Sequence, residues 1–352
     1  MNPATLSKAT RRLMKLGGVW VPSPLALDEN GRMLEKWQRL LTLYYLRSGA
    51  RTVIPGTHCG EFAGGDVELF ARWLRIVREM VEESEKEAFL MASVSGSDPV
   101  RQAERAAEEG YDLVMLAPTA YTEKDDDGVV RLFREVASII PVFGFELQQA
   151  IPGSRPHSLR LWQRIFEIAW GAKGASFNTY RAQVMLEAAA RSSRRDELVV
   201  ATGNDDRIVY DLGGLFPFST ADGPVTVRYS AGLLGHFATD TRAAVEWSGH
   251  VRAHRDGGQW ELPVSKPELA HLVNMCNGAL FDALNQFENS VWGVKCRLTA
   301  LGLLPGPHCL HETGREEMPG QIEKAYAAHP CLSDVDFMEE SLAQMKREVG
   351  LT

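Results

Sequence analysis

Residues 141–192 read PVFGFELQQAIPGSRPHSLRLWQRIFEIAWGAKGASFNTYRAQVMLEAAARS, and this stretch decides the fold. PVFGFEL (141–147) and WGAKGAS (170–176) are apolar runs of strand length, and each leads into a helical pattern, LRLWQRIFEIA (159–169) and TYRAQVMLEAAARS (179–192). Strand, helix, strand, helix in unbroken succession predicts parallel strands joined by crossover helices.

The same pair recurs on both sides. Upstream, GGVWVPSP (17–24) precedes MLEKWQRLLTLYYLRSG (33–49), and RTVIPG (51–56) precedes a helix over 66–83. AFLMASV (88–94) precedes VRQAERAAEEG (100–110), and DLVMLAP (112–118) precedes VVRLFREVASII (129–140). Downstream, ELVVATG (197–203) leads into a helix near 205–215, and PVTVRYSAG (224–232) into a helix near 233–254. Eight such units predict an α/β fold, a (β/α)8 TIM barrel over residues 1–256 with a short N-terminal helix. A doubly wound open sheet is the rival, but no GxGxxG follows the first strand. After HRDGGQWELP (254–263) the pattern turns wholly helical, so residues 257–352 are expected to form a C-terminal helical extension on the barrel or on a neighbouring subunit.

Composition narrows the functional classes. A net charge of −8 over 352 residues, with arginines spread along helices, gives no basic field for a nucleic acid. Five cysteines without a CxxC pair point to a reducing compartment, and the cytoplasm is the expected location. The opening MNPATLSKATRRLMKLGG alternates charged and apolar residues, unlike a signal peptide or anchor, and no run approaches the roughly 18 apolar residues of a membrane span. In GLLPGPHCLHETGREEMPG (302–320), His308, Cys309 and His311 stand too close together for a familiar zinc spacing, so no metal and no cofactor is expected.

Barrel enzymes carry their chemistry at the C-terminal ends of the strands. Those ends are GTHCGEF (56–62), SGSD (95–98), PTAY (118–121), FELQQAIPGSR (145–155), Lys173 within its strand, and TGNDD (202–206). Lys173 is the only charged residue between Glu167 and Arg181. A barrel interior disfavours the ammonium, and a neutral amine is a nucleophile toward a keto carbonyl. WGVK (292–295) mimics WGAK (170–173), but Lys295 continues into CRLTALGLL at helical spacing and reads as an ordinary helix lysine with its head in water.

Taken in order, these segments resemble the dihydrodipicolinate synthase and N-acetylneuraminate lyase family of class I aldolases. GAKGAS is similar to that family's Schiff-base motif G-I-K-D-A-S, GTHCGE to its G-T-T-G-E, GSR to its carboxylate-binding arginine loop, and TGNDD to its S-G-D-D or G-x-D-E. The likeness spans roughly residues 17–240. It implies that Lys173 forms an imine with pyruvate or a related 2-keto acid, and that a C–C bond is then made or broken with an aldehyde or sugar acid. It also implies a homo-oligomer, a tetramer or dimer. Dihydrodipicolinate synthesis, dehydration of a sugar acid through the same imine, and a non-catalytic ligand-binding barrel are the alternatives.

Two departures from the family stand out. Its strand-five tyrosine, a proton relay, is replaced here by Phe145 or Glu146, and only Glu146 can move a proton. Tyr121 and His58 are the fallback acid–base groups, while Tyr180 is expected to pack. The threonine pair that holds the keto acid's carboxylate is replaced by part of Thr57-His58-Cys59, with Thr57 and His58 as the donors and Cys59 as a small buried residue. By resemblance, Arg155 binds a carboxylate of the second substrate, and Gly203, Asp205 and Asp206 hold hydroxyls of a sugar-acid-like substrate.

Overall fold

In the computed structural model, which describes residues 4–351, the first seven strands fall where the apolar runs place them. They are β1 (Gly18–Pro22), β2 (Thr52–Ile54), β3 (Met91–Val94), β4 (Leu113–Leu116), β5 (Val142–Leu147), β6 (Gly171–Ala175) and β7 (Val199–Thr202). The eighth differs from expectation. PVTVRYSAG does not form one barrel strand: β8 (Phe216–Thr220) and β9 (Gly223–Val227) make an antiparallel hairpin outside the barrel, and β10 (Ala231–Leu233) closes the ring. The hairpin's residues alternate between half-buried and exposed, whereas each barrel strand is buried throughout. Alternation is the mark of a one-faced strand, and the Asp-Gly pair at 222–223 is a hairpin turn signal.

The parallel strands run in the order β2-β1-β10-β7-β6-β5-β4-β3. The ring closes between β2 and β3, where Phe89 N–H donates to Arg51 O (3.1 Å) and Ser93 N–H to Pro55 O (2.8 Å). This is a TIM barrel with a C-terminal helical region. Around it lie α2 (Glu35–Arg47), α3 (Val67–Glu83), α4 (Pro99–Glu108), α5 (Asp126–Ala137), α6 (Leu159–Phe166), α7 (Thr179–Arg191), α8 (Ile208–Leu212) and α9 (Thr241–Arg255), while α1 (Lys8–Leu16) precedes β1. Their caps are sequence-encoded: Asp66 accepts from Glu68 and Leu69 N–H to start α3, and Asn178 from Tyr180 and Arg181 N–H to start α7.

The period of two along each strand sorts the core into two layers. Inward-facing residues fill the barrel: Trp20, with Phe89 and Phe143 at edge-on distances of 5.3 and 5.8 Å, blocks its interior, and Leu6 and Met14 of the α1 region join that cluster. Outward-facing residues pack against the helices. Gly174 belongs to the outer layer, since a Cβ there would meet Met185 of α7 at 2.9 Å.

Beyond the barrel come α10 (Lys266–Leu280), α11 (Ser290–Ala300), α12 (Met318–Ala327) and α13 (Val335–Glu348). Ser265 and Glu268 form a capping box at the start of α10. This region does not stand apart. Asn277 and Asn274 of α10 donate to the backbone oxygens of Asp205 and Asp206 (2.8 Å each), which lays the helix across the C-terminal end of β7. No helix among the described residues is long and apolar enough to cross a membrane.

Candidate active site

Lys173 is paired in register with Phe145 on β5 and Ala201 on β7, so all three side chains point into the barrel. The lysine is 7% exposed, and its Nζ lies 4.4 Å from the centre of the Phe145 ring. The room it occupies is made by Gly203, where a Cβ would stand 2.3 Å from Lys173 Cε. Gly203 thus makes space for the lysine stem, and its N–H donates to Gly174 O (2.7 Å). Burial lowers the Lys173 pKa to about 8, against the opposing pull of the neighbouring Asp205 and Cys59. Burial likewise pushes the Asp205 carboxyl well above the usual carboxylate range, with Lys173 partly opposing it. Both members of the pair are therefore driven toward their neutral forms.

Lys173 and Asp205 line a narrow, partly open pocket at the C-terminal end of the barrel. Thr57, His58 and Cys59 line it from the loop after β2. Thr57 is 2% exposed, yet its Oγ1 has no hydrogen-bond partner among the described residues, so a buried hydroxyl is left facing the pocket. Burial, aided by the charge of Lys173, takes His58 down to about 4, which leaves the ring neutral at pH 7. Burial pushes the Cys59 thiol up to about 12, so it carries no thiolate.

Four expected side chains lie elsewhere. Glu146 is adjacent to Phe145, so strand alternation turns its carboxylate outward, where it accepts from His157 N–H and Trp162 Nε1–H (both 3.3 Å) between barrel and helices. Burial raises it to about 7, but it does not line the pocket. Tyr121 sits in the same outer layer, bonded to Phe145 O and His157 Nε2 (3.1 Å each). Arg155 is occupied by Lys124 O and the Asp126 carboxylate and does not line the pocket. Asp206 is exposed because the short turn after Asn204 points its side chain to solvent, leaving Asp205 as the only carboxylate lining the pocket among the described residues. Tyr180 does not pack either: it is 84% exposed.

Lys295 is the largest correction. It is 0% exposed, and its Nζ donates to Glu61 Oε2 (2.6 Å) and His308 O (2.7 Å). Glu61 also accepts from Leu310 N–H (2.5 Å), so the C-terminal region grips the loop that carries Thr57. That loop needs holding, because Glu61, Phe62 and Ala63 have φ of 51°, 50° and 54°, a left-handed backbone costly for residues with a Cβ. The same region supplies Phe281, Phe287 and Ser290 to the pocket. None of these had a sequence signal, since apolar residues in a helical segment read as core. The Ser290 hydroxyl is buried without a partner, as Thr57's is. His308, Cys309 and His311 form no group of three or more candidate metal ligands among the described residues.

No protein-family model matches the chain, and no curated protein sequence matches it. Solved structures do. A prophage protein of the dihydrodipicolinic acid synthase family from E. coli K12, in complex with pyruvate, superposes with a TM-score of 0.70 at 15% identity over 88% of this chain and 98% of its own. Dihydrodipicolinate synthase from Bacillus anthracis gives 0.71 at 20% identity, covering 90% and 99%. N-acetylneuraminate lyase from Mycoplasma synoviae gives 0.67 at 13% identity, covering 89% and 98%. The fold is the one these enzymes share.

Proposed function

We propose that the chain is a divergent relative of these enzymes, a class I aldolase or lyase in which Lys173 forms an imine with pyruvate or a related 2-keto acid. The observation that carries this reading is the lysine itself: buried at the barrel's inner wall, its pKa lowered to about 8 by burial, with space cleared by Gly203 and an unpartnered Thr57 hydroxyl in the same pocket. A buried lysine without a salt bridge is costly, and a chemical use for the free amine explains its retention.

The pocket supports the following sequence of steps. The keto acid's carboxylate accepts from Thr57, helped by the backbone of the 57–59 loop. The neutral Lys173 amine adds to the keto carbon. The Asp205 carboxyl, whose protonated form burial favours, gives its proton to the carbinolamine oxygen, which leaves as water. The protonated imine then draws electrons from the adjacent carbon. Asp205, now a carboxylate, removes a proton from that carbon to give an enamine; in the cleaving direction it takes the proton of the hydroxyl as the C–C bond breaks and then gives it to the enamine carbon. Asp205 thus takes the role that the sequence reading gave to Glu146.

Sodium borohydride reduction in the presence of pyruvate and other 2-keto acids, read by peptide mass spectrometry, tests this reading. The expected result is a reduced adduct on the Lys173 peptide, absent in Lys173→Ala and retained in Glu146→Gln. No adduct with any keto acid in the folded wild type refutes it.

A further inference from the structure

Resting on that imine reading, we infer that the second substrate is an apolar aldehyde, with neither a carboxylate nor a polyol chain. The wall beside Lys173, built from the ends of β5 and β6 and from the C-terminal region, carries Leu147, Ile151, Phe177 and Phe287. Phe177 and Phe287 meet edge to face at 5.3 Å, joining the loop after β6 to the segment between α10 and α11. The polar groups on this side, Gln148 and Ser290, are neutral.

A second carboxylate, on the acceptor, finds no cation besides Lys173 among the described lining residues, and Thr57 with its loop is already taken by the keto acid. Arg155 is spent on Asp126 and Lys124 O, Arg207 on Asp211 and Thr179, and Arg181 lies 3.9 Å from the outward-facing Glu146. A polyol needs several acceptors in convergent positions, and Asp206 faces solvent, so Asp205 is the one carboxylate among the described lining residues, with the neutral Gln148 and Ser290 beside it. Hydroxyls buried against Leu147, Ile151 and the two phenylalanines lose their hydration without replacement.

In the condensing direction the enamine carbon bonds to the aldehyde carbon, whose oxygen takes a proton from Asp205. Water then hydrolyses the imine, freeing Lys173 and a 4-hydroxy-2-keto acid. Atoms balance without any oxidant or cofactor.

Two pairs matched in carbon number test the inference with pyruvate as donor: propanal against glyceraldehyde, and butanal against succinic semialdehyde. Pyruvate consumption and product mass are followed, and borohydride trapping is run on the same preparation. The apolar member of each pair is expected to have kcat/KM at least tenfold higher. Phe287→Ser should shrink that ratio severalfold. Ile151→Thr, in a different loop, should do the same and guards against a folding defect in the first variant. A pyruvate adduct with equal or faster use of the polar member overturns the inference and leaves the imine reading standing, as does an adduct with no aldehyde consumed. Absence of the adduct overturns both.

Discussion

Lys173 is a cation confined by an apolar barrel, and its chemistry and its cost have the same origin. Its pKa falls from 10.5 to about 8 on burial. At about 1.4 kcal/mol per tenfold change, that fall costs the folded protein about 3 kcal/mol while the group is charged. The folded chain binds this proton less tightly than the unfolded one, so the cost is complete below pH 8 and disappears as pH rises past 10.5. Lys173→Met is therefore expected to abolish imine formation and raise the melting temperature by a few degrees at pH 7, with a smaller gain at pH 10. A lower melting temperature at pH 7 would mean that the amine is paired rather than stranded. For the wild type, the rate of adduct formation with pyruvate should climb up to about pH 8 and level off above it, following the neutral amine.

At the scale of elements, the loop after β2 and helix α11 act as one piece. Lys295 of α11 and Glu61 of the loop are both buried, at 0% and 6% side-chain exposure, and the pair anchors three residues of left-handed backbone next to Thr57. Removing one partner strands the other. Lys295→Met is expected to cost about 3–5 kcal/mol and, on the proposed reading in which the loop binds the carboxylate without touching the reacting carbon, to raise the pyruvate KM more than it lowers kcat. Adding Glu61→Gln should recover part of the stability. Urea melts and steady-state kinetics on the single and double variants check this, and additive losses would refute the coupling.

Such couplings explain what could be read from the sequence and what could not. Seven barrel strands and Lys173 were legible because a parallel strand buried on both faces leaves a continuous apolar run, and a lysine inside one is conspicuous. Lys295 misled because helical spacing tells which face a residue occupies but not what covers that face; its partner lies 234 positions away. Glu146 misled for a simpler reason. One residue along a strand reverses the side, and the inward register was already fixed by Lys173 opposite Phe145. Phe287 and Ser290 enter the pocket by tertiary packing alone.

For the whole molecule, the decisive contact is between barrel and C-terminal helices. Arg297 of α11 donates to both oxygens of Asp240 at the start of α9 (3.0 and 2.6 Å), and Asp240 also accepts from Asp334 N–H (2.9 Å). Asp334 in turn accepts from Tyr44 Oη–H of α2 (2.5 Å) and from Arg242 and Ala243 N–H (2.8 Å each). Arg297 and Asp240 are nearly inaccessible, with side chains 6% and 0% exposed. An ion pair of this kind has paid its desolvation on both sides, so losing one charge leaves the other uncompensated. If barrel and extension fold as one unit, Arg297→Met lowers the stability of the whole chain by about 3–5 kcal/mol and moves a single cooperative transition. If they are separate units divided near residue 257, calorimetry resolves two transitions and the substitution shifts the one belonging to the helices. The single transition is expected, because α10 and α11 complete the pocket, and unfolding them would expose the barrel mouth and release the loop that holds Thr57.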